Sequence, residues 1–233
     1  MDRRFKEIST NIERYGIVKT AEDIAQRLLN RVVFFKILKC VKIDKVDPEF
    51  IQADEGYPGL FLPEATLREF SNDPEYEMPA AFLDDALAKK DGCYGFLNGS
   101  DLASYGWYSN KPTETNWPGL WIHFDERYIY MYKGFTHRHH RGKRLHAVGM
   151  TRALDAYLAR GSKGILSYVE WNNFASLKSC YRMGYSDFGK IYVLRLFNHY
   201  FVHADAGCQP YGFRVSTSAL PSARNIGITS QVA

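Results

Sequence analysis

Ile129-Tyr-Met-Tyr-Lys-Gly-Phe-Thr136 runs straight into His137-Arg-His-His-Arg-Gly-Lys-Arg-Leu-His146, and a long helical pattern follows. The first stretch alternates apolar residues as a strand does. The second is short, strongly basic and holds one glycine, Gly142. It opens into a helix read from Lys143 to Arg160. The first turn of a helix carries unpaired N–H groups and a partial positive charge. An anion, above all a phosphate, is the natural partner of such a turn. Arg138, Arg141, Lys143 and Arg144 add side-chain charge at the same place. The pattern points to a phosphate-bearing ligand, although a basic run alone also fits a solvated face or a nucleic-acid patch.

The next segment narrows the choice. After Gly161 and Gly164, Ile165-Leu-Ser-Tyr-Val-Glu170 reads as a short buried strand. Asn172-Asn-Phe-Ala-Ser-Leu-Lys-Ser-Cys-Tyr-Arg-Met-Gly-Tyr185 reads as a helix that starts at an Asn cap and stops at Gly184. Phe188 to Phe197 reads as a further strand.

Over residues 90 to 197 the chain resembles the GNAT superfamily of N-acetyltransferases. Two motifs carry the resemblance. Arg141-Gly-Lys-Arg-Leu-His146 stands where the family has Arg/Gln-x-x-Gly-x-Gly/Ala, its pyrophosphate loop. Asn173-Phe-Ala-Ser176, a helix and Gly184-Tyr185 match the Asn-x-x-Ser and Gly-aromatic pattern after the fifth strand. The resemblance implies an α/β (α+β) fold with a mixed central sheet of about six to seven strands flanked by helices. It implies acetyl-CoA or another acyl-CoA as co-substrate, no metal, and an amine-bearing acceptor acylated by direct transfer. The residues implied in cofactor binding are Phe135, Thr136, Arg141, Gly142, Lys143, Arg144, Leu145, His146, Asn173 and Ser176. Backbone N–H groups near Phe135 and Thr136 would polarise the thioester carbonyl.

The departures bear on mechanism. Arg144 and His146 replace the small residues that let phosphate approach the backbone, so side chains there must turn away or bind the anion themselves. Many family members carry a tyrosine four residues before the Gly-aromatic pair, thought to protonate the departing thiolate. Cys180 holds that position here. It is a candidate acid, with a free thiol pKa of about 8.5, or simply a small buried residue. Tyr181 lies about 100° further round the helix. For the base, Glu170 at the end of its strand is the first candidate and His137 the second, with His123, Asp125 and Glu126 further out.

Three rival readings follow from the same residues. The altered glycines and missing tyrosine fit a catalytically degenerate acyl-CoA-binding protein of the same fold. His137, His139, His140 and His146 fit a metal site, but no carboxylate or cysteine at metal spacing completes it. The basic loop fits a nucleic-acid contact, which a net charge of +4 concentrated in that loop does not favour.

Composition suits a sheet-rich globular enzyme, with 45% hydrophobic and 15% aromatic residues among 233. Cys40, Cys93, Cys180 and Cys208 have no paired spacing, which points to a reducing compartment, and a cytoplasmic protein is expected. The charged N-terminus lacks the core of a signal peptide, and Val32 to Val41 is too short to span a bilayer. A homodimer is left open.

The remaining chain reads as a helical extension over 1–30, taken as one extra N-terminal helix, a domain over 31–215 and a flexible tail over 216–233. The extension has a capping start at Thr20. Arg31 to Ile43 reads as the first strand, and Pro63 to Phe70 and Pro79 to Lys90 as helices begun by proline. Asn98-Gly99 marks a hairpin between Cys93–Leu97 and Leu102–Tyr108, with a four-residue connection. Trp117 to Phe124 reads as an edge strand, and Tyr200–His203 and Tyr211–Val215 as closing strands.

Overall fold

A computed structural model describes residues 2–30, 32–197 and 199–217. The expected tail beyond Thr217, and Arg31 at the expected domain boundary, lie outside the described residues. The N-terminal extension is two helices rather than one, α1 (Asp2–Tyr15) and α2 (Ile17–Leu29). Gly16, at φ +88°, makes the break, a conformation glycine alone adopts freely. Thr20 therefore starts no helix, and its hydroxyl donates back to the Gly16 carbonyl at 2.9 Å.

β1 (Phe34–Ile43) follows, then β2 (Gly59–Phe61), α3 (Glu64–Ser71) and α4 (Ala80–Lys89). Pro63 and Pro79 cap these helices from just outside, with extended backbone, instead of filling the first helical position. β3 (Gly92–Asn98) and β4 (Asp101–Ser109) form the expected hairpin. Its connection is two residues, Gly99 and Ser100, because Asn98 and Asp101 pair. β5 (Thr113–Glu114) and β6 (Trp121–His123) precede β7 (Ile129–Thr136), α5 (Leu145–Ala159) and β8 (Ile165–Glu170). α6 (Phe174–Arg182), β9 (Ser186–Leu196), β10 (His199–Ala204) and β11 (Arg214–Ser216) complete the order.

Among the described residues the main sheet has eight strands, not six to seven, in the order β10-β9-β1-β8-β7-β4-β3-β2. Neighbours are antiparallel except β7 and β8, which are parallel. The first strand does not sit at an edge. β1 lies between β8 and β9, pairing from Leu38↔Glu170 to Ile43↔Ile165 on one side and from Phe34↔Arg195 to Lys42↔Ser186 on the other. β11, β6 and β5 form a second, three-stranded sheet, so Trp117–Phe124 and the last strand pair with each other and not with the main sheet.

One face of the main sheet carries α5, whose buried positions run nearly all round the helix from Leu145 to Tyr157. Gly149 lets α5 press on Phe96, since a Cβ there would stand 3.0 Å from that ring. The opposite face carries α3 and α4 over Trp107, Tyr105 and Leu102, and the second sheet over Tyr130, Leu166 and Ile191. No helix among the described residues is long and apolar enough to cross a membrane.

Candidate functional site

β7 and β8 pair only through Ile129↔Ile165 and Tyr130↔Leu166. The Ser167 hydroxyl then donates to the Met131 carbonyl at 2.8 Å, and beyond that link the strands part. The β7 edge from Tyr132 to Thr136 therefore has no strand partner on this side. The gap opens on both faces of the sheet. Towards α5 and α6 it is a cavity of about 240 Å³ lined by Gly134, His146, Ser167, Ser176, Cys180 and Tyr185. Towards α4 and β5 it is a cavity of about 330 Å³ that includes Phe82 and Lys133. Asn116, Tyr130, Tyr132 and Tyr168 line both, so the two are mouths of one gap.

The basic loop lies beside the first mouth. Gly142 has φ +83° and Arg144 φ +59°. The left-handed turn that glycine favours at position 144 is thus kept by an arginine, which costs about 1 kcal/mol. The Arg144 guanidinium bonds Glu49 at 3.2 Å and lies over the Phe50 ring. Arg144, His146 and Ala147 at the start of α5 line a larger cavity, about 670 Å³, with Arg14 of α1 and Lys178 and Arg182 of α6. Arg14, Lys178 and Arg182 have no carboxylate partner among the described residues. A helix start, four exposed cations and a concave floor fit a pyrophosphate. His146 belongs to this cavity and to the gap, and so joins the anion site to the splayed strands.

The other sequence candidates are distributed unevenly. Phe135 stacks on Tyr105, and its carbonyl accepts from Ser104. Thr136 meets the Ser104 hydroxyl at 3.0 Å. Arg141 turns back so that its Nε donates to the Thr136 carbonyl at 3.3 Å. Lys143 lies over the Tyr57 ring, and Leu145 is buried. Asn173 caps α6, accepting from the Ser176 N–H at 3.2 Å. Cys180 lines the gap, and burial pushes its thiol up to about 11. Tyr181 points away from the gap. It is 42% exposed, accepts from Lys39 Nζ at 2.7 Å and donates to Asp187 at 2.7 Å. Glu170 holds Lys36 at 2.7 Å. His137 is buried with Nε2 3.2 Å from Glu75, and its Nδ1 has no partner. Neither is among the residues lining the gap. His123 bonds Ser216, and Asp125 grips Arg127, whose guanidinium holds its carboxyl down to about 2. Among the described residues no group of three or more His, Cys, Asp or Glu is placed to hold a metal ion.

Two lining residues escaped the sequence reading. The Tyr185 hydroxyl is buried in the gap without a hydrogen-bond partner, and burial raises its pKa. Tyr132 spans both mouths and donates to Asp91 at 2.8 Å, the Asp91 side chain being wholly buried. The signal for Tyr185 was present, since the Gly-aromatic pair was noted. That pair served only as a mark of the family resemblance, with no role for the side chain.

His146 supplies a pH test of this arrangement. A Cβ on Gly134 would stand 2.5 Å from His146 Cε1, so the ring is held against the β7 backbone. Burial lowers its pKa from 6.5. A histidine with a depressed folded pKa adds stability that is complete above the unfolded value and lost as pH falls towards the folded one. The melting temperature is expected to drop more steeply in the parent than in His146→Gln from about pH 7.5 to about pH 5. Parallel curves would show that His146 is not desolvated.

No family model matches the chain, and no curated protein matches its sequence. Solved structures resemble it in shape. An acetyltransferase of the GNAT family from Colwellia psychrerythraea is 14% identical at TM-score 0.48, over 68% of this chain and 56% of that one. A GCN5-related N-acetyltransferase-like protein from Streptococcus suis is 14% identical at TM-score 0.49, over 75% and 67%. An N-acetyltransferase from Staphylococcus aureus is 12% identical at TM-score 0.44, over 69% and 97%. The chain thus spans little more than half the length of the first of these. Likeness at this level says nothing of chemistry. The parallel pair that parts after two residues, with a basic loop and helix between its strands, makes the fold GNAT-like in its own right.

Proposed function

We propose that this protein moves an acetyl or other acyl group from coenzyme A to an amine acceptor by direct transfer. The observation that carries the proposal is the gap between β7 and β8, which reaches both faces of the sheet and is flanked, beside the start of α5, by the exposed cations Arg14, Arg144, Lys178 and Arg182. One face receives the acyl donor, the other the acceptor. Arg144, Lys178 and Arg182 hold the pyrophosphate, and the free β7 edge from Tyr132 to Thr136 aligns the pantetheine arm. Fixed N–H dipoles there stabilise the oxyanion as the amine attacks. Tyr185 donates a proton to the departing thiolate, its raised pKa keeping it protonated at neutral pH. The acceptor amine loses its proton to Asp91 through the Tyr132 hydroxyl. Glu170 and His137 line neither mouth of the gap and leave the contact with the amine to Tyr132, which lines both.

Calorimetry with acetyl-CoA, followed by thiol release over a panel of amines, tests the proposal. Binding with turnover on at least one amine is expected. Absence of binding to any acyl-CoA overturns it. Tight binding with no turnover would favour a catalytically silent acyl-CoA-binding protein, the reading that Arg144 and His146 in place of small residues keeps open.

A further inference from the structure

We infer that the acceptor carries, besides its amine, an acid group that Lys133 binds, and so belongs to the class of amino acids and related amino-carboxylates with a flat apolar body. This rests on the acyl-transfer reading of the gap. The mouth between α4 and β5 holds both signs of charge, yet its groups differ in how they are engaged. Asp85 is paired with Lys89 at 3.0 Å, and Lys89 also reaches Asp91 at 3.3 Å. Glu114 accepts the Gly119 N–H at 2.6 Å. Lys133 alone among these makes neither an ion pair nor a side-chain hydrogen bond among the described residues. Its ammonium lies 5.3 Å from the centre of the Phe82 ring, and only Glu77 acts on it through space.

Lys133 stands on β7 between Tyr132 and Gly134, at the splay itself. It is half-buried, and burial pulls its pKa down from 10.5. A half-buried ammonium without a counter-ion is costly, and a ligand that brings an anion relieves that cost. The walls of the same mouth are rings: Phe82, Tyr130, Tyr132 and Tyr168. They suit a flat apolar body beside an amino-carboxylate head whose acid group meets Lys133 and whose amine meets Tyr132. A polycation would place like charge against Lys133 and find Asp85 already engaged.

The probes are L-phenylalanine and 2-phenylethylamine, which differ in the carboxylate alone. With acetyl-CoA as donor, kcat/KM is expected to be higher for the acid by about ten-fold or more. Lys133→Gln is expected to raise KM for the acid and bring the ratio of the two substrates towards one. Equal use of the two by the parent, or a preference for the amine without the acid, overturns the inference. So does a Lys133→Gln variant that loses kcat alike on both, which would make Lys133 a base. A second measurement needs no turnover. N-acetyl-L-phenylalanine is expected to bind about ten-fold or more tighter than N-(2-phenylethyl)acetamide, with the difference lost in Lys133→Gln. Failure to see that difference overturns the inference even where acetyl-CoA binds. Loss of acetyl-CoA binding with the difference retained would instead strike the acyl-transfer reading.

Discussion

Arg144→Ala combined with Arg182→Ala is expected to weaken acetyl-CoA binding by about 10²-fold or more, each arginine giving up a charge-assisted hydrogen bond of about 1.5–3 kcal/mol. The melting temperature should hardly move. Arg182 has no carboxylate partner among the described residues. The Arg144–Glu49 pair is exposed on both sides, with side chains 53% and 70% accessible, and such pairs contribute about 0–1 kcal/mol. Alanine at position 144 keeps a Cβ at φ +59°, so the strain there is unchanged. Affinity of the parent should also fall with salt more steeply than that of the double variant, because exposed charges are screened. The pair is chosen over Arg141 with Arg144 because Arg141 is turned back onto Thr136. Affinity in the double variant equal to that of the parent would remove the phosphate from this cavity.

Such a choice of residues shows where sequence reading reached and where it stopped. Local signals held. The Asn-Gly hairpin, the Asn173 cap and the strand–loop–helix from Ile129 to Ala159 are written in neighbouring residues, and each formed. Arg144 illustrates the mechanism well: the family's glycine position was legible, and the left-handed turn persists although the glycine is gone. What was not legible depends on partners far along the chain. Nothing in Phe34–Ile43 says that it inserts between β8 and β9, since an alternating strand pairs equally well at an edge or in the middle of a sheet. The second sheet is hidden for the same reason, being closed by residues 121–123 and 214–216. Side-chain direction was the other blind spot. Cys180 and Tyr181 are neighbours, yet one lines the gap while the other bridges Lys39 and Asp187. Glu170 ends its strand and His137 follows its own, as expected, but their partners Lys36 and Glu75 arrive from residues about which spacing is silent.

Tyr185→Phe separates catalysis from packing by moving two readouts in opposite directions. Tyr185 is 4% exposed, and its hydroxyl is buried without a hydrogen-bond partner. An unmatched buried hydroxyl costs about 1–3 kcal/mol, so its removal is expected to leave stability equal or higher. A gain of ~1 kcal/mol corresponds to roughly 2–4 °C in melting temperature for a chain of this size. A residue that serves packing alone would show that gain with turnover intact. A proton donor to the thiolate would show it with kcat lowered by about 10²-fold or more, the usual worth of general acid catalysis. We expect the second result. Acetyl-CoA affinity should stay near that of the parent, because the hydroxyl acts on the bond being broken and not on the phosphates at Arg144. The Cys180→Ser variant supplies the contrast. Its thiol shares the gap and is held up to about 11 by burial, so it too is protonated at neutral pH. If Tyr185 is the donor, Cys180→Ser keeps most of the turnover that Tyr185→Phe loses. The reverse pattern would hand the proton to the cysteine, and two unaltered variants would leave it to water reaching the gap.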